Sequence, residues 1–144
     1  MLSVHHHHGV AYHLEVTTFE PAARLTKSIV KRPDDVMASL EGLRRSSVVY
    51  VAAIAKKIAK NVDYGNFYLF LNGSGHAHVM LHEHRKFLPR DPLRASSVGE
   101  ATFLGEDGRH FTVPGVLTTS ADRARAALEY WLPRQEHWPE FEWE

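Results

Sequence analysis

Cysteine is absent from this chain of 144 residues. That excludes disulfides, zinc–thiolate sites and a cysteine nucleophile, and it suits a reducing compartment. Long apolar runs are missing too: none approaches the ~20 residues that cross a bilayer as a helix. The opening MLSVHHHHGV lacks the apolar core of a secretory signal, so the expected location is cytoplasmic. Neither sign of charge is in excess, with 17 basic and 17 acidic side chains. A net charge of zero argues against general attraction to nucleic acid or to a membrane surface. Catalytic signatures are lacking as well. No phosphate loop, dinucleotide fingerprint, Gly-x-Ser-x-Gly elbow or His-Glu-x-x-His helix occurs, and Gly73-Ser74-Gly75 joins two strand-like runs as turn chemistry. Basic residues are not interleaved with aromatics in the manner of an RNA-binding sheet.

What remains is ordinary for one globular domain: 44% of the residues are apolar, and the length allows a core without staples. Residues 1–9 read as an N-terminal extension, since the His5–His8 run resembles a purification tag or a low-complexity tract. Residues 10–144 then form a single domain. In YHLEVTT, Tyr12, Leu14 and Val16 alternate onto one face of a strand. Pro21 opens a loosely patterned stretch to Val30. Pro33, Asp34 and Asp35 begin a helix over residues 33–45, with Val36, Met37, Leu40 and Leu43 on its apolar face and Arg44 and Arg45 at its end. For residues 47–62, the spacing of Val51, Ile54, Ala55, Ile58 and Val62 predicts a helix from about Tyr50, its lysines Lys56, Lys57 and Lys60 on a solvated face.

A hairpin follows. NFYLFL and HAHVMLHEH flank the turn Asn72-Gly73-Ser74-Gly75. In its second strand His76, His78, Met80, His82 and His84 share a face, and Ala77, Val79, Leu81 and Glu83 take the other. Histidines two apart on a strand are one arrangement that chelates a transition metal, with His78 and His82 the named candidates. His110, His137, Glu83 and Asp107 are possible further ligands, but no spacing selects one. The competing expectation is amphipathic cover on a wet or partner-facing strand.

Two short strands, residues 100–105 and 109–113, are joined by Glu106-Asp107-Gly108, and Val116 and Leu117 suggest a further brief strand after Pro114-Gly115. The last quarter is the most strongly patterned. Thr119 and Ser120 offer an N-cap, and Ala121, Ala124, Ala127, Leu128, Trp131 and Leu132 form one stripe opposite Arg123, Arg125 and Glu129. Pro133 ends the helix. EFEWE then alternates as a half-buried strand, Phe141 and Trp143 inward and Glu140, Glu142 and Glu144 outward. Residues 24–60 carry nine basic and three acidic side chains, while residues 129–144 carry five acidic and one basic. Such halves either neutralise each other in the fold or offer an acidic face to a basic partner. The expected fold class is α+β, an antiparallel sheet with helices packed on one face.

The closing segment resembles the end of the Imm-one family of immunity proteins from bacterial polymorphic-toxin systems. The residues that carry the likeness are the turn Phe103-Leu104-Gly105-Glu106-Asp107-Gly108, the small-residue helix ending in Tyr130-Trp131, and the strand ending in Trp143 and an acid. The helix of residues 33–45 leading to Asn66–Leu71 is consistent with it, whereas residues 47–62 look like an insertion. The resemblance implies a non-enzymatic, cofactor-free α+β protein that binds a cognate toxin domain, often a deaminase or nuclease, and blocks its active site. It carries over no catalytic residues. Expected toxin-binding residues are Glu140, Glu142, Glu144 and Glu136 as carboxylates facing a basic groove, Trp138 and His137 as anchors, and His76, His78, His82 and His84 as a pH-sensitive extension. The expected partner is that protein alone, with no direct nucleic acid or membrane contact, and the free chain is a monomer or weak homodimer. The alternative is a small metal-binding protein or metal-dependent enzyme built on the histidine strand.

Overall fold

The computed structural model describes residues 10–19, 22–46, 49–59, 62–94, 99–134 and 136–144. The readings placed on His5–His8, Pro21, Val48 and Lys60 fall outside these, as do the side chains of Arg44 and Arg45. The strands are β1 (Ala11–Thr18), β2 (Arg24–Val30), β3 (Val49–Ala59), β4 (Val62–Asn72), β5 (His76–His82), β6 (Lys86–Phe87), β7 (Glu100–Leu104), β8 (His110–Pro114) and β9 (Thr118–Ser120), and the helices are α1 (Pro33–Ser46) and α2 (Ala121–Trp131). Seven strands form one sheet in the order β2-β1-β3-β4-β5-β6, with β9 also on β5. Every pairing is antiparallel. Beyond β4, β5 divides its other side: β9 takes His76–His78 and β6 takes Leu81 and His82.

One face of this sheet carries both helices. Alternate residues from four strands point to them, including Tyr12, Leu14, Tyr50, Ile54, Phe67, Leu69, Val79 and Leu81, and they pack on Val36 and Leu40 of α1 and Leu128 and Trp131 of α2. Each such side chain contributes about 1.5–3 kcal/mol on burial. The Tyr12 hydroxyl donates to the Leu132 carbonyl (2.7 Å), tying β1 to the end of α2. Ser120 caps α2 by accepting from the Arg123 N–H (3.2 Å), so the cap falls one residue after Thr119. The α+β architecture therefore follows the expected pattern.

Four local expectations do not hold. Residues 49–59 are a strand, not a helix. β3 lies between β1 and β4 with both faces covered, so Val51 and Ala52 are adjacent and both buried. A strand buried on both sides loses its polar alternation, and its small and branched residues then match helical spacing by chance. The loosely patterned stretch contains β2, whose residues are nearly all exposed and so carry no burial signal. Gly115–Leu117 is a short 3-10 turn leading into β9 rather than a strand. The EFEWE tail is no regular strand either: its single ladder contact is the bridge of Glu142 to Arg90. Its side chains nevertheless alternate, Phe141 buried and Glu140 and Glu142 exposed.

The opposite face of the sheet is not simply wet. The β7–β8 hairpin folds over β4 and β5 and makes a second, smaller core from Val51, Phe70, Phe103 and Val113. Phe111 meets Phe70 edge-on at 5.1 Å, and the Asn72 amide donates to the Thr102 carbonyl (3.0 Å). At the hairpin turn Gly108 has φ 81°, a conformation glycine adopts without a Cβ penalty.

Candidate partner-binding face

The tail is held by its backbone. Arg90 N–H donates to the Glu142 carbonyl and Glu142 N–H to the Arg90 carbonyl, both at 2.8 Å, and Leu88 N–H donates to the Glu144 carbonyl at 3.3 Å. Phe141 enters the main core and Trp143 packs at its border. With the main chain pinned and the aromatics inward, Glu140, Glu142 and Glu144 are exposed. Glu136 is exposed too and accepts from the Tyr130 hydroxyl (3.2 Å). The three tail carboxylates predicted as a stripe thus lie on one ordered edge segment, with Arg90 opposite Glu142 in register.

His137 and Trp138 behave differently from projecting anchors: both are half-buried and packed against neighbouring rings of the fold. The His137 ring sits 4.7 Å from Phe87 and 4.8 Å from Trp143, and its Nε2–H donates to Glu83 Oε1 (2.9 Å). Trp138 meets Phe141 edge-on at 4.8 Å, with the Arg123 guanidinium 5.0 Å from its ring. Their aromatic area is spent on seating the tail.

The histidine stripe is split by its surroundings. His78 is 3% exposed, within 6.2 Å of the rings of Phe70, Phe103 and Phe111. Its Nδ1 lies 3.0 Å from the Leu117 carbonyl, which only accepts, so Nδ1 carries the proton. Burial pushes this imidazole below its usual value, only partly opposed by that bond, so His78 stays neutral where a surface histidine would titrate. It drops out of the expected pH-sensitive set. His76 is half-buried with Nδ1 3.2 Å from the Ser74 hydroxyl, while His82 and His84 are exposed, His84 beyond the end of β5. His78 and His82 are four residues apart on one strand, about 14 Å at ~3.4 Å per residue, too far to share an ion. Among the described residues, no group of three or more potential ligands is placed to hold a metal.

Between the hairpin and the sheet lies a cleft of about 460 Å³, lined by Tyr68, Phe70, His78, Met80 and Phe111, with Lys86 and Glu106 supplying charge. Burial raises the Glu106 carboxyl above its usual value, with the charges of Glu15 and Asp107 adding to the effect. A second cleft of about 290 Å³ shares Lys86 and Leu88 with the first and reaches Glu144. The aromatic cleft therefore lies next to the one that reaches the acidic tail, with Lys86 and Leu88 between them.

The charged clusters around Lys56 and Arg125 escaped the sequence reading. Lys56, expected on a solvated face, is 4% exposed. Its ammonium donates to the Arg134 carbonyl (2.7 Å) and lies 4.9 Å from the Tyr64 ring and 5.4 Å from Trp131. Burial lowers its basicity, against which the Glu83 charge acts. Glu83 also accepts from the Trp131 indole (3.0 Å). Burial would raise the Glu83 carboxyl, but the bonds from His137, Trp131 and Tyr64, together with the His137 charge, outweigh it and hold the group below its usual value. Gly65 leaves room for this carboxylate, since a Cβ there would lie 2.9 Å from Glu83 Cγ and 3.1 Å from the His82 carbonyl. Arg125, expected on the polar side of α2, is buried and pairs with Asp122. The only signal available was parity: once β3 is a strand, Lys56 falls on the face of Tyr50 and Ile54.

No helix among the described residues is long and apolar enough to cross a membrane. Comparison with known protein families, curated proteins and solved structures finds no match to this chain.

Proposed function

We propose that this chain is a stoichiometric inhibitor, a toxin-neutralising immunity protein of the kind its closing segment resembles. In this reading it lays a carboxylate edge into the basic groove of a nucleic-acid-acting toxin domain, such as a deaminase or nuclease. The observation that carries the reading is the tail: Glu140, Glu142 and Glu144 exposed on a segment whose backbone and aromatics are fixed. Pre-ordered charge loses little entropy on binding and steers encounter with an oppositely charged partner. The adjoining aromatic cleft supplies apolar area beside that charge, the mixture that sustains a specific interface. Inhibition by occupancy needs no catalytic group, cofactor or metal on this side of the complex.

The test is capture of tag-free protein with its host's effectors, followed by assay of the partner's activity. The expected result is a basic domain held one to one and silenced, its affinity falling steeply with salt. Glu140→Lys combined with Glu142→Lys should weaken it by about 2–5 kcal/mol if those charges pair at the interface. Unchanged affinity and unchanged salt dependence would sink the proposed site.

A further inference from the structure

The opposite edge of the sheet carries an independent surface. Among the described residues β2 pairs only with β1, leaving its other side without a ladder partner. Leu25 is 51% and Ile29 64% exposed, and the register sets them with Lys27 on one face, across from Thr17, His13 and Glu15 of β1. An open edge with apolar side chains is a template for another strand.

The order of residues in β2 selects the occupant. The middle of β2, Leu25-Thr26-Lys27-Ser28-Ile29, is a palindrome in chemical type about Lys27, and only its end residues Arg24 and Val30 differ in type. In an antiparallel pair of two such strands centred on Lys27, Leu25 faces Ile29 of the other copy, and Thr26 faces its Ser28. The facing hydroxyls and facing aliphatics are favourable cross-strand pairs. A shift of two residues either way opposes Lys27 to Leu25 or Ile29 and shortens the ladder. One register is therefore preferred, and its two-fold symmetry closes the assembly at two.

We propose that β2 is a homodimer edge, through which two copies form one continuous antiparallel sheet. Lysine in an edge strand commonly discourages pairing, and two lysines meet at this axis. Each Lys27 is opposite Glu15 of its own β1, so the row across the axis reads Glu15, Lys27, Lys27, Glu15 and is neutral overall. A seven-residue ladder of ~24 Å buries about 1,000 Å² or less, the class of weak and reversible contacts. Lys27 keeps it weak.

Because the chain has no cysteine, one introduced thiol reports the register directly. Lys27→Cys places two thiols opposite each other at the axis, within reach of a disulfide after small adjustment. Leu25→Cys places them about 14 Å apart along the ladder. Under mild oxidation Lys27→Cys should form covalent dimer at least about ten-fold faster than Leu25→Cys, as expected of a raised effective concentration. Sedimentation of the unmodified protein over a concentration series should show reversible dimer, lost in Leu25→Thr/Ile29→Thr, which keeps strand propensity and removes no buried side chain. Equal cross-linking at both positions would overturn the proposal. So would a strictly monomeric parent, dimer retained by the double threonine variant, or a monomer that takes up only a foreign acidic strand along β2.

Discussion

Asp91 is a short side chain on an irregular segment, yet it joins three parts of the chain. It is 2% exposed and accepts from Arg123 Nε (2.8 Å) and Nη2 (3.0 Å), the Leu93 N–H (3.0 Å) and the Thr119 hydroxyl. Burial pushes its carboxyl up, but those bonds and the Arg123 charge more than reverse this, so the group lies below its usual value. A carboxyl with a lowered folded value stabilises the protein above its unfolded value, near 3.9, and that stability is lost as pH falls through the folded value. Asp91→Ala should cost about 3–5 kcal/mol at neutral pH, since it leaves Arg123 without its buried partner. Urea melts at pH 7 and pH 3 should differ less for this variant than for the parent. An unchanged difference would assign the acid sensitivity elsewhere. Arg90-Asp91-Pro92 reads as loop chemistry, and nothing near it in sequence announces Thr119 or Arg123. Lys56 was hidden for a similar reason: its burial depends on β3 being a strand and on Trp131 arriving from far along the chain.

At the scale of elements, the β7–β8 hairpin is the part most separable from the rest. Its Phe103 is fully buried, but in the smaller core, against Val51 and Phe70 rather than the helices. Phe103→Ala should cost about 3–5 kcal/mol by the loss of a buried aromatic. The loss should appear first as faster amide exchange in β7 and β8, with β3 and β4 still protected, because the main core keeps its contacts. Uniformly faster exchange throughout the sheet would show instead that the two cores unfold as one. Both hairpin strands and their turn were legible from Glu106-Asp107-Gly108. Their docking on the histidine-bearing face was not, because local alternation gives two faces to a hairpin without saying what either meets.

At the scale of the whole molecule, β2 lies at one end of the strand order and the tail beyond β6 lies at the other. The two proposed surfaces are thus carried on opposite edges, and pairing through β2 leaves both carboxylate tails free. Under the proposed function, a complex with the toxin domain should then contain two of each chain when this chain is dimeric. Distant sites add independently, so Leu25→Thr/Ile29→Thr should remove dimer without changing intrinsic toxin affinity, and Glu140→Lys/Glu142→Lys should do the reverse. Light scattering of the complexes, with titrations of both variants, distinguishes this from coupled edges.

Local chemistry by itself determined the elements whose signals lie in neighbouring residues. α1 follows from Pro33, Asp34 and Asp35 with the stripe behind them, and α2 from its cap and its alanine-rich face. The β4–β5 turn follows from its glycines, and the outward glutamates of the tail from strict alternation. Tertiary structure decided whatever depends on what covers a face. It made β3 a strand because neighbours on both sides satisfy its backbone and bury both its surfaces. It also made β2 an edge without a core pattern, took His78 out of solvent beneath the hairpin, and turned His137 and Trp138 inward to hold the tail. Period and propensity act over a few residues, whereas burial is set by segments tens of residues away.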